Sequence, residues 1–156
     1  MASVSTIFVS RIIDRVSDRL DRGTLCRVAG IDADSPAPSP AMISAENYYS
    51  LLEMIAETEK PDIRFLLGIS MSATCSDFGA VGLAWKSAPT LRHSFLRMDR
   101  HARAYNTAST FKLHDKGDTF WWTHERPNMS RLGLDLSSEG ALATYVTLCR
   151  EATGPN

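Results

Sequence analysis

At 156 residues, with 44% hydrophobic, 22% charged and 8% aromatic side chains, the chain can bury one sizeable core but has little room for two independent domains. Seventeen Lys and Arg against eighteen Asp and Glu give a net charge of -1, so there is no basic surplus for neutralising phosphates and the chain alone is a poor nucleic-acid binder. Its apolar runs fall well short of the ~20 residues of a membrane helix, and Met1 to Val9 lack the basic start of a secretory signal.

The first predicted element is amphipathic. Val9, Ile12, Ile13, Val16 and Leu20 recur at helical spacing, and Arg11, Asp14, Arg15, Asp18 and Arg19 fill the other face. Gly23 breaks it, and a second short apolar piece follows from Leu25 to Ile31. Asp32 to Pro40 carries three prolines in its last five residues and reads as an extended loop. Ser44 then caps a helix with the stripe Tyr48, Leu51, Leu52, Ile55. Pro61 opens a short helix with Ile63, Leu66 and Leu67 inward. From Cys75 to Ala88 the residues are small and apolar, and Gly79 and Gly82 permit close backbone packing.

Pro89 and Thr90 start the strongest helix, with Leu91, Phe95, Met98, Ala102 and Tyr105 on one face. Beyond Tyr105 the period changes from helical to alternating. Phe111 and Leu113 flank Lys112, Asp115 to Asp118 is a turn signal, and Thr119 to Glu125 is rich in β-favouring aromatics, which predicts a hairpin. Leu132, Leu134 and Leu136 alternate again and predict a third strand. Ser137 or Ser138 then caps a final helix with Leu142, Tyr145, Val146 and Cys149 on its stripe, ending at Gly154-Pro155. Helices, a small antiparallel sheet of about three strands and a C-terminal helix make an α+β domain.

No catalytic constellation emerges. The chain has no nucleophile elbow, no phosphate-cradling glycine loop and no His-Glu-x-x-His pair. Cys26, Cys75 and Cys149 are odd in number and never in a CxxC pair, which predicts three buried or half-buried thiols in a reducing cytoplasm. His93 and His101 lie two helical turns, ~12 Å, apart, too far for one metal; with Arg97 and Arg100 they form a basic stripe that reads first as a solvated face. His114 and His124 flank the hairpin and could approach across it, but further metal ligands are lacking. Trp121 and Trp122 must face opposite sides of a strand. Core packing is the first reading for this pair, a ligand wall the second and a protein interface the third.

The run Phe78 to Arg92 (Phe-Gly-Ala-Val-Gly-Leu-Ala-Trp-Lys-Ser-Ala-Pro-Thr-Leu-Arg) resembles the signature of the N-terminal, arabinose-binding-like domain of AraC-type transcription regulators. The initial helix, Val28 to Ile31, Ile43-Ser44, Leu67-Gly68 and the Arg100 to Tyr105 helix end fit the same pattern, so the resemblance covers nearly the whole chain. These are packing motifs and carry no ligand identity. The resemblance implies an effector-sensing or dimerising domain, bacterial and cytoplasmic, that reaches promoter DNA only through a C-terminal helix-turn-helix domain absent from this chain. Residues 1–156 then form a single domain, a portion of a sensor domain. The sugar regulator that lends the family its name uses a cupin barrel. Three strands are too few for one, so arabinose is not carried over.

The expected function is therefore ligand sensing and dimerisation, with an unknown small-molecule effector, no cofactor, no metal and no enzyme activity. A stand-alone interaction module is the second reading and a small-molecule enzyme the third. The expected effector site lies between sheet and helices, where Trp85, Tyr105, Phe111, Phe120 and one of Trp121 or Trp122 concentrate aromatic surface.

Overall fold

A computed structural model describes residues 1–32 and 41–154. Strand β1 (Ser3–Ser5) runs directly into α1 (Thr6–Val16), whose N-cap Ser5 accepts from the Ile7 amide at 3.3 Å. Helix α1 buries Val9, Ile12, Ile13 and Val16 and leaves Asp14 and Arg15 in water, as its spacing predicts. The break after it comes at Ser17–Asp21 and not at Gly23. Asp21 caps α2 (Arg22–Ala29), accepting from the Thr24 amide at 2.7 Å, and Gly23 sits inside the capped first turn. Most of the proline-rich loop, residues 33–40, lies outside the described residues.

Strand β2 (Met42–Ser44) pairs antiparallel with β1, Ser3 opposite Ser44. Ser44 is also the cap of α3 (Ala45–Glu57), accepting from the Asn47 amide at 3.1 Å. Helix α4 (Phe65–Met71) starts four residues beyond Pro61, because the Glu59 carboxylate accepts from the Arg64 and Phe65 amides at 2.8 Å each. That start turns Phe65, Leu66 and Ile69 inward, so Leu67, expected inside, is 51% exposed. A 3-10 turn (Cys75–Phe78) leads into α5 (Gly79–Lys86). Gly82 is required there: a Cβ would sit 1.7 Å from the Cys75 carbonyl oxygen. Thr90 caps α6 (Leu91–His101), and Phe95 is buried at its centre.

Strands β3 (Thr110–Lys116) and β4 (Thr119–Glu125) form the predicted hairpin, turning at Gly117 with Leu113 opposite Trp122. The predicted third strand does not form. Leu132 begins α7 (Leu132–Thr153), so the described residues hold two two-stranded sheets and no three-stranded one. Three features account for the difference. Arg131 ties the start of α7 to Glu46, Ser50 and Glu53 of α3. Gly133 lies against the α3 backbone, where a Cβ would be 2.4 Å from the Tyr49 carbonyl oxygen. Gly140 lies against Leu66 of α4, where a Cβ would be 2.7 Å from the side chain. This seating buries Gly133, Leu134, Leu136, Ser137 and Gly140, while Leu142 and Val146, expected on the apolar stripe of the final helix, are exposed. Ser137 and Ser138 therefore cap nothing: both lie within α7, Ser137 is buried, and the Ser138 hydroxyl donates to the Leu134 carbonyl at 3.0 Å.

The buried residues fall into two clusters. One is built by α1 to α4 and the first turns of α7, around Val9, Leu25, Leu51, Leu52 and Ile55. The other is built by the 3-10 turn, α5, α6 and the later turns of α7, around Phe78, Trp85, Phe95 and Leu148, with the inner face of the hairpin packed on it. Helix α7 spans both, and Phe8 packs against both.

Candidate functional site

A cavity of about 130 Å³ lies at the seam between the two clusters and opens partway to solvent. The first cluster contributes Val4, Ile12, Leu66 and Ile69, and the second contributes Phe78, Val81 and Leu148. Helix α7 supplies a wall of small groups, Gly140, Ala141 and Thr144, which keep the space from being filled. The lining is mostly apolar, with a few polar groups: Arg11, Tyr48, Ser70, Asn106, Arg126 and Ser137.

The cavity takes two of the six aromatics named from the sequence, and Phe120, outside its lining, packs on Phe95 at 5.2 Å. Tyr105 and Phe111 line it. Trp85 is 1% exposed and packed edge-on against Phe95 at 4.8 Å, with its indole N–H donating to the Leu148 carbonyl at 3.3 Å. Trp122 lies one shell behind the wall, stacked on Phe111 at 5.0 Å and edge-on to Tyr145 at 4.2 Å. Trp121 points to the outer side of the hairpin and is 67% exposed. Strand alternation thus puts the two tryptophans on opposite faces, and the aromatic centre of the hairpin is a packed cluster with the cavity at its edge.

The two arginines on the cavity wall differ in one respect. Arg11 faces Asp77 at 3.4 Å and donates to the Ile69 carbonyl at 3.1 Å. Arg126, just beyond β4, has no carboxylate within ion-pair distance among the described residues. Its Nε donates to His124 Nε2 at 3.1 Å, one terminal nitrogen to the Ser137 hydroxyl at 2.8 Å, and the other to the Ser137 carbonyl at 3.3 Å. Burial lowers its basicity, and the Tyr49 and Tyr48 phenols act in the opposite direction. A half-buried cation with only neutral partners is costly to keep.

The groups around Arg126 are tuned to remain neutral. His124 stacks on Phe111 at 4.5 Å. Its burial, with the positive charge of Arg126 added, pushes its pKa down to about 4, so the ring is neutral at pH 7 and Nε2 is free to accept. Burial pushes the Tyr48 and Tyr145 phenols up, against the pull of Arg126, and both keep their protons. Among the described residues the Trp122 indole N–H is buried without a hydrogen-bond partner, and the buried Tyr49 hydroxyl has Arg126 as its polar neighbour.

Among the described residues the remaining titratable groups converge on no second site. His114 and His124 lie on opposite faces of the hairpin: His114 bonds the Thr123 hydroxyl at 3.0 Å while His124 stacks inward, so they do not meet as the sequence allowed. His93 and His101 are exposed near the two ends of α6. Arg97, between them, bends back to donate to the Ala84 carbonyl at 2.6 Å and the Ser87 hydroxyl at 3.0 Å, closing the end of α5. Cys26 and Cys75 are buried and Cys149 half-buried, all as free thiols. Among the described residues no group of three or more His, Cys, Asp or Glu converges where it could hold a metal, and no single helix is long and apolar enough to cross a membrane.

Residues 20–156 match the family described as the N-terminal arabinose-binding domain of AraC transcription regulators. The chain belongs to that family. Its members' domain is a regulatory, ligand-binding one and not an enzyme family, and an effector cavity is the feature such a domain needs. No curated protein matches the chain. Arg126 escaped the sequence reading, yet the signal was there. Counting by two from Phe120 through Trp122 and His124 reaches Arg126, the inner face of the strand carried one residue past its end.

Proposed function

We propose that this chain is the effector-sensing domain of a bacterial, cytoplasmic AraC-type regulator, and that its effector binds in the cavity at the seam between the two hydrophobic clusters. The observation that carries this reading is the seam cavity itself. A ligand there touches α1, α4, α6 and α7 at once and biases how the two halves of the domain pack. Tyr105 and Phe111 are its aromatic contacts, Trp85 and Trp122 brace that wall from behind, and Trp121 belongs to the outer surface. Occupancy is transmitted to a homodimer partner, and to a helix-turn-helix domain that contacts promoter DNA, as a change in the relative stability of two arrangements of the regulator. Residues 1–156 act here as one sensing domain.

The test is a thermal-shift screen of small organic compounds on the wild-type chain and on Ala141→Leu, which places a larger apolar side chain in the cavity. The expected result is a set of compounds that raise the wild-type Tm and leave that of the well-folded Ala141→Leu unchanged. Compounds that stabilise both proteins equally would place the effector elsewhere, and the reading would be wrong.

A further inference from the structure

We infer that the effector is a small organic carboxylate, its carboxylate paired with Arg126 and its apolar body filling the seam cavity toward Phe78 and Val81. This rests on the effector-cavity reading and adds its chemistry.

Three observations lead to it. The cavity wall carries two guanidinium groups, and among the described residues Arg11 has a carboxylate beside it and Arg126 has none. Arg126 is held in place by three neutral acceptors, which use three of the five N–H bonds of a guanidinium. The other two N–H bonds, one on each terminal nitrogen, face no carboxylate within ion-pair distance among the described residues, and the Tyr49 phenol is a further neutral neighbour. These two N–H bonds diverge across the planar guanidinium, so a carboxylate oxygen takes one of them, and its negative charge compensates a cation that burial otherwise penalises. The polar groups nearest this end match an anion as well. His124 is neutral, and the Tyr48 and Tyr145 phenols keep their protons, so these three bring no negative charge to the guanidinium.

Size and lining narrow the class further. A cavity of about 150 Å³ lined by aliphatic and aromatic groups is enough for benzene, and this one is about 130 Å³ with a partly open mouth. A single ring or a short branched or linear chain fits, its apolar body against Ile12, Leu66, Ile69, Phe78, Val81 and Leu148. Inorganic phosphate would leave the apolar part empty.

The experiment uses benzoate and hexanoate as probes, each paired with its neutral amide, on the whole chain at constant ionic strength. Affinity is read by calorimetry up to about 10 mM, the range expected for ligands of this size. The expected result is that each carboxylate binds at least ~10-fold more tightly than its amide, that Arg126→Gln removes the difference, and that inorganic phosphate gives no heat. The wild-type comparison stands even if Arg126→Gln fails to fold. Amides that bind as tightly as carboxylates would overturn the anionic inference while leaving the cavity as effector site. Carboxylate binding that survives in a folded Arg126→Gln, or an equal response to phosphate, would overturn it as well. Binding of neither probe class would overturn it too, and the effector cavity would then be judged by the Ala141→Leu screen alone.

Discussion

Replacing Phe95 by alanine removes the ring on which the second cluster turns. Phe95 is 7% exposed, and its ring centroid lies 4.8 Å from Trp85, 5.2 Å from Phe120, 5.3 Å from Trp122 and 6.2 Å from Tyr145. These partners come from α5, the hairpin and α7, so the gap cannot be closed by one element moving. Loss of a buried phenylalanine costs about 3–5 kcal/mol, and the aromatic edge contacts put this site toward the upper end. A domain of this size holds only about 5–15 kcal/mol in all, so Phe95→Ala should lower the Tm by roughly 6–20 °C. Denaturant and thermal unfolding followed by tryptophan fluorescence and circular dichroism measure it, and Trp121→Ser is the control. Trp121 is 67% exposed on the outer face of the same hairpin, and its loss should change stability by less than about 0.5 kcal/mol. A Phe95→Ala cost below about 1 kcal/mol, or a Trp121→Ser cost as large as that of Phe95→Ala, would refute the assignment of inner and outer faces.

Gly82→Ala should destabilise the chain by on the order of 1–3 kcal/mol, because its methyl meets the Cys75 carbonyl at 1.7 Å and backbone must move; unchanged denaturant melts would show that the 3-10 turn does not pack on α5 as described. Stability should fall on acidification from about pH 6.5 to pH 4. The His124 pKa is lowered from 6.5 to about 4, so the unfolded chain takes up a proton in that window and the folded chain does not. The full shift corresponds to ~3 kcal/mol, which the ring's partial exposure reduces to about 1–2 kcal/mol. His124→Gln should flatten that part of the pH profile, and an unchanged slope would contradict the neutral, buried imidazole. The isolated chain, with its net charge of -1, should show no sequence-specific operator binding at physiological salt. A specific, salt-resistant gel shift would contradict the assignment of DNA contact to another domain.

Much of the helical framework is legible in the sequence because its signals are local. Ser44 and Thr90 are side-chain caps with apolar stripes behind them, and both cap where expected. The hairpin is announced by alternation and a turn. What escapes depends on partners far along the chain. Strands β1 and β2 are three residues each, too short to carry a period, and exist because Ser3 meets Ser44. The start of α4 is set by Glu59, and that of α7 by Arg131 on α3, where Gly133 and Gly140 also let it seat. The first turn of α7 reads as a strand because Leu132, Leu134 and Leu136 alternate by chance; Leu132 is exposed, and Leu134 and Leu136 are buried in the first cluster. At the site, Tyr105 and Phe111 are recognisable as aromatic surface. That Arg126 has no carboxylate beside it among the described residues, when seventeen basic and eighteen acidic side chains are available to pair, is a property of the packing, and only the folded chain reveals it.

The most direct test of the effector cavity is a methyl-labelled NMR titration of the chain with a compound that raises its Tm. Shift changes concentrated on Ile12, Leu66, Ile69, Val81 and Leu148, which line the seam, are the predicted result. Changes confined to the exposed Leu67, Leu83, Leu142 and Val146, with the seam methyls unmoved, would contradict it.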